Sequence, residues 1–223
     1  MRKTIGTNKR EKCRLHSLWI WAPAFDKDYS DLASFKCDFI YWINTELLSS
    51  SVNKIYKRGL ITELYPENMS FGEDLVFVLN YLKHCNRISF TQEPLYQHEV
   101  YNSVSLTHSF SPARFSNLED IQKAILDFAD DKNKINPRIY DKYVKDALHL
   151  TRMWYKNKNV PYIRKKEIIG EWLKQSYIRK LKISDYQLHW KDRMLLHCLH
   201  MSCFIGINLI VNGKEYINSL SKE

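Results

Sequence analysis

From about residue 117 onward the chain repeats one pattern, apolar residues at three- and four-residue intervals, and this restricts its second half to packed helices. Helices are predicted over 118–129, 138–155, 162–181 and 186 to about 211. Pro137 and Pro161 stand in the first turns of the second and third, where a helix tolerates proline. The first half reads differently. Ser70-Phe71-Gly72-Glu73 has the S-x-x-E form of a capping box, and Leu75, Val78, Leu79, Leu82 and Cys85 follow at helical spacing, which predicts a helix over 73–85. Residues 87–91 and 94–98 are strand-prone, 99–116 form a polar loop, and 15–62 are densely apolar and aromatic without a clear period. With 223 residues there is room for one or two cores. The expected organisation is a lead-in at 1–14, an α/β segment at 15–115 and a helical region at 116–223.

Charge narrows the partners. The net charge of +9 comes almost wholly from two segments. Residues 1–14 hold six basic side chains against Glu11, and residues 164–193 hold nine against Glu167, Glu171, Asp185 and Asp192. The rest of the chain is nearly neutral, so an anionic surface, above all phospholipid headgroups, is the expected partner. Tyr and Trp among these bases also suit nucleic acid, but no nucleic-acid motif accompanies them, and none is expected as a partner. Five cysteines without a C-x-x-C pair point to a reducing compartment. Leu15 to Phe25 is interrupted by His16, Ser17 and Pro23, so no secretory signal is read there. The expected location is cytoplasmic, peripheral on the inner face of the membrane.

Few residues carry chemistry. Glu73 and Asp74 are adjacent carboxylates at a helix start, where the positive helix end favours negative charge and a general base can be held. The same spacing equally suits a capping acid beside a first-turn acid. Asp26-Lys27-Asp28 has the letters of a D-x-D metal motif but no strand leading into it, and reads as a solvated turn. His197, Cys198, His200 and Cys203 are zinc-ligand types that spread around a single helix, so no metal site is expected. Residues 194–211 lack formal charge and include 13 apolar residues, a length that approaches a membrane span. His197, His200, Ser202 and Asn208 make a buried or interfacial helix the better reading.

Three ordered segments resemble a known family. Phe71-Gly72-Glu73-Asp74-Leu75-x-Phe77 is similar to the G-E-D-L-x-F segment of family 2 glycosyltransferases, inverting enzymes of GT-A fold that build bacterial surface polysaccharides. Upstream, Asn53-Lys54-Ile55-Tyr56-Lys57-Arg58 resembles the family's N-K-L-Y-K-R element. Downstream, Glu93-Pro94-Leu95-Tyr96 with Asn102-Ser103 resembles its E-P-L-Y segment, with His98-Glu99 where the family has Tyr-Arg. The resemblance implies an α/β fold, a partial GT-A-like acceptor half lacking the N-terminal nucleotide-binding half and followed by a mainly helical region. It implies Asp74 as catalytic base, Glu73 beside it, and Lys54, Tyr96 and His98 as substrate-binding residues. It also implies a nucleotide sugar with Mn or Mg, none of it bound by this fragment, and a glycan or lipid-linked acceptor. A partner chain would supply the nucleotide-binding half, and without it the fragment is expected to be inactive. The alternative is a non-catalytic module that docks on a membrane or a partner.

Overall fold

The computed structural model describes residues 17–20, 23–93, 95–100 and 111–220, and for 17–20, 97–100 and 214–220 the course of the backbone. The lead-in at 1–14 lies outside the described residues. The elements in order are β1 (Ser17–Ile20), β2 (Lys27–Tyr29), α1 (Leu32–Cys37), α2 (Phe39–Asn44), α3 (Glu73–Leu82), β3 (Ile88–Phe90) and β4 (Gln97–Val100). Then come α4 (Ala113–Phe128), α5 (Asp131–Lys134), α6 (Asp141–Lys156), α7 (Tyr162–Gln175), α8 (Trp190–His200) and α9 (Phe204–Leu220). The chain divides into two compact units, each discontinuous in sequence. One gathers Met1–Asn68, Gly72–Ser109 and Ala124–Asn133, and the other gathers Met69–Phe71, Phe110–Lys123 and Lys134–Glu223.

The expected α/β architecture is overturned. The described strands form two separate antiparallel pairs, β1 with β4 and β2 with β3, each strand three or four residues long. No parallel pair joins them, so the sheet of a GT-A-like half is absent from the described residues, and the protein is mainly helical. The physical reason lies in where the first unit's apolar mass sits. Phe35, Phe39, Trp42 and Ile43 of α1 and α2, with Leu75, Val78 and Leu79 of α3, are buried, and β2 and β3, the strands whose side chains are described, add Tyr29 to the buried set. Asp31 starts α1 by accepting the Ser34 N–H through Oδ1 at 2.7 Å. Trp42 stacks on Phe90 with centroids 3.7 Å apart, and its indole N–H donates to the Tyr29 hydroxyl at 2.6 Å. That hydroxyl donates onward to Asp38 at 2.7 Å, and burial pushes the phenol up to about 12.

In the second unit the helical periods are realised with breaks. Pro137 opens a 3₁₀ turn (Pro137–Tyr140) capped by the Asn136 side chain before α6, and Pro161 sits at the N-cap of α7. The predicted helix over 162–181 ends at Gln175 and resumes as a 3₁₀ turn, Tyr177–Lys180. The core is built from Phe115, Leu118, Val144, Leu148, Trp172, Leu173, Leu195, Leu199 and Ile207. Glu119 pins it: its carboxylate accepts from the Tyr143 hydroxyl at 2.6 Å, the Trp172 indole N–H at 2.7 Å and the Tyr177 N–H at 3.3 Å. Burial raises its carboxyl above the usual range, and the three donors oppose that shift. Glu119→Gln turns an amide against the Tyr177 N–H and should cost about 1–2 kcal/mol, read from urea unfolding followed by Trp fluorescence.

The uncharged stretch at 194–211 is two helices. α8 stops at His200, Ser202 takes a left-handed φ of 53°, and the Cys203 N–H donates to the Cys198 carbonyl at 2.7 Å. The break lets Leu195, Leu196 and Leu199 on one side of the turn and Ile207 on the other enter the same core. No helix of the described residues is long and apolar enough to cross a membrane. A Cβ on Gly206 would stand 2.7 Å from Cys198 Sγ, so α8 and α9 approach through that glycine. Gly206→Ala should destabilise by about 1–2 kcal/mol. Calorimetry on the Gly206→Ala/Cys198→Ala double variant should show less than the sum of the two single losses, because the second change removes the clash.

Candidate active site around Asp74

Helix α3 begins without the capping box. Ser70 is exposed and its own N–H donates to the Asn117 side chain at 3.2 Å, so it does not cap. The N-cap is Gly72, with φ 77° and no side-chain cap bond, a left-handed conformation that glycine enters without strain. Glu73 and Asp74 therefore occupy the first turn behind a bare backbone cap, both half-buried. Glu73 makes no hydrogen bond or ion pair among the described residues.

Asp74, Phe77 and Tyr81 share one face of α3, at i, i+3 and i+7, and the segment 51–57 lies along that face. Ser51 donates its hydroxyl to Asp74 Oδ1 at 2.6 Å. Tyr56 packs edge-on against Phe77 and Tyr81, with centroids 5.4 and 4.8 Å away, and its hydroxyl donates to the Ser51 carbonyl at 2.9 Å. The Lys57 N–H donates to the Tyr81 hydroxyl at 2.8 Å. Tyr65 stacks on Phe77 at 4.5 Å. The N-K-x-Y-K element and the G-E-D segment are thus one packed unit.

Lys54 belongs to it, but not as a free cation. Its ammonium donates to the Leu47 carbonyl at 2.6 Å, to Asn53 Oδ1 at 2.6 Å and to the Ser50 carbonyl. An ammonium has three protons, and all three are taken by protein oxygens. Burial pulls its pKa down to about 8, while the nearby Asp74 carboxylate pulls it back up. The expected substrate-binding lysine is a tie that folds 47–54 and so presents Ser51 to Asp74. Oδ2 of Asp74 has no donor among the described residues.

Among the described residues the third segment makes no hydrogen bond to Asp74 or Lys54. Glu93 donates its N–H to Thr91 Oγ1, and Tyr96 is half-buried just before β4. The hydrogen bonds of Asp74 and Lys54 go to residues 47, 50, 51 and 53, none to Tyr96. His98 is in register with Trp19, while its side chain, Pro94, Asn102 and Ser103 lie outside what is described. Asp26 accepts the Gln92 N–H at 2.6 Å, so the D-x-D letters mark the end of the β2–β3 pairing. His200 Nδ1 lies 3.2 Å from the Ile178 carbonyl and His197 is exposed. Among the described residues no three His, Cys, Asp or Glu side chains group closely enough to hold a metal ion.

No family model, curated protein or solved structure matches this chain. The resemblance rests on the segments themselves, and the structure adds that the first two are packed together through Ser51, Tyr56 and Tyr81. Sequence reasoning quoted Tyr56 and Tyr81 within their segments without giving them a role, and did not name Ser51. Tyr81 was legible, because it shares the helix face of Asp74. Ser51 was not, since 23 residues separate it from its partner and a lone serine carries no signal.

Proposed function

We propose that the chain supplies the acceptor side of an inverting sugar transfer, with Asp74 as general base. The observation that carries this is a half-buried carboxylate in the first turn of α3. One oxygen is oriented by the Ser51 hydroxyl and the other has no donor among the described residues. In the proposed step the acceptor hydroxyl approaches Oδ2, and its proton passes to Asp74 as its oxygen bonds to the anomeric carbon. The bond from that carbon to the diphosphate breaks, the nucleoside diphosphate leaves with the electron pair, and one in-line displacement inverts the configuration. Lys54 positions the base and does not contact substrate. The nucleotide sugar is bound by residues other than those grouped around Asp74, and no step is routed through a cation.

The test is transfer from a panel of UDP- and GDP-sugars to lipid-linked glycans, with the full chain added to bacterial membranes that lack it. NMR reads the anomeric configuration of the product. An inverted linkage that depends on the chain is expected. A retained configuration, or no dependence on the chain with any donor, overturns the reading.

A further inference from the structure

The turn between α8 and α9 leaves apolar side chains in water. Met201, Ile205 and Leu209, spaced at four residues across the turn and along α9, are 74%, 70% and 60% exposed, while Leu195, Leu199 and Ile207 take the core positions. Met194 and Trp190 on α8 are also exposed. Scattered exposed apolar residues need no explanation, but Ile205 and Leu209 share one face of α9, and Met201 stands exposed in the turn that leads into it.

Cations border these side chains without acidic partners among the described residues. Arg179 donates to the Ser202 hydroxyl at 2.9 Å, inside the turn, and Lys166 stands 5.7 Å from the ring centroid of Phe204 at the start of α9. Neither forms an ion pair with a carboxylate among the described residues. Three of the four acids of 164–193 are engaged elsewhere: Glu167 pairs with Arg164, Glu171 with Lys174, and Asp192 with Arg152, while Asp185 accepts from the Ser184 hydroxyl. The surplus positive charge of 164–193 is thus concentrated on side chains open to an external anion.

We infer that this turn docks on an anionic phospholipid surface, with Met201, Ile205 and Leu209 entering the boundary between headgroups and acyl chains and Arg179 and Lys166 meeting lipid phosphates. Charge decides the occupant. An apolar ridge edged by cations with no carboxylate partner among the described residues is complementary to an anionic bilayer, whereas a second copy of this chain would bring like charges together. The element lies on the membrane, since neither helix is long and apolar enough to cross it.

The experiment is co-sedimentation of the full chain with vesicles of phosphatidylcholine alone and of phosphatidylcholine with phosphatidylglycerol, over a series of salt concentrations. Binding to the anionic vesicles, weakening with salt, is expected. Residues 1–14 are basic too, so charge alone does not locate the contact. The Met201→Ser/Ile205→Ser/Leu209→Ser variant keeps every charge and changes only exposed side chains, and should bind at least about tenfold more weakly. Lys166→Gln/Arg179→Gln should bind more weakly and with a shallower salt dependence. Circular dichroism checks that each variant is folded. Absence of wild-type binding to anionic vesicles, undiminished binding by the folded triple serine variant, or a solution dimer that the serine changes abolish would each overturn the inference. None of these readouts uses a sugar donor, so the result is independent of the role proposed for Asp74.

Discussion

Asp74→Asn is expected to reduce sugar transfer by at least about a hundredfold, the lower end of what a positioned general base contributes. The substitution is nearly isosteric, and the amide oxygen can still accept the Ser51 hydroxyl, so the helix start and the packing of Tyr56 on Phe77 and Tyr81 should survive. What disappears is the capacity to take up the proton of the acceptor hydroxyl. Initial rates with the donor that turns over, alongside circular dichroism, check the expectation. Loss of rate with an unchanged KM for the acceptor marks a base, whereas parallel loss of binding marks a contact. Glu73→Gln, one residue away and without a partner among the described residues, serves as the control and should keep most of the activity.

Lys54→Met is expected to destabilise the protein by about 3 kcal/mol, because it leaves the Leu47 and Ser50 carbonyls and Asn53 Oδ1 without their donor and offers only a thioether stem in return. Chemical denaturation at neutral pH measures it. The same variant tests a pH dependence. In the folded chain Lys54 titrates near 8, below the value of about 10.4 for an unfolded lysine. Between those values the unfolded chain binds more protons than the folded one, so stability rises with pH across that window. The rise ends near pH 10, where unfolded tyrosines begin to ionise while Tyr29 holds its proton to about 12. Wild type should therefore gain stability from pH 8 to 10, and Lys54→Met should show a smaller gain, because burial lowers Lys165 as well and that contribution stays.

Helical spacing made the second unit legible in outline, because burying a stripe at a period of 3.6 admits few alternatives. It did not show that the stretch over 194–211 would break. Nothing local demands a left-handed Ser202, and the break follows from Leu199 and Ile207 both needing the same core. The first unit was misread at the level of class. The strand-prone letters at 87–91 contain β3, whereas those at 94–98 overlap β4 only at 97 and 98, and β4 runs on into the expected loop; the partners of these strands are the isolated β2 and β1, not members of one parallel sheet. The family likeness carried the wrong architecture, while the burial that decides it came from Phe35, Phe39 and Trp42, whose spacing within two six-residue helices is too short to show a period. At the site, Asp74 and its helix were readable. Lys54 was readable as special but not as spent, because its three acceptors include two backbone carbonyls, which no side-chain pattern encodes.

The two compact units pass the chain back and forth: residues 69–71 and 110–123 belong to one, and 72–109 and 124–133 to the other. Helix α4 is shared, its first part counted with one unit and its end with the other. No contiguous stretch of gene encodes either unit whole. Recombination at a single point cannot transfer one whole without a piece of its neighbour, and a segment that carries Ser51 and Asp74 takes residues 69–71 of the other unit with it.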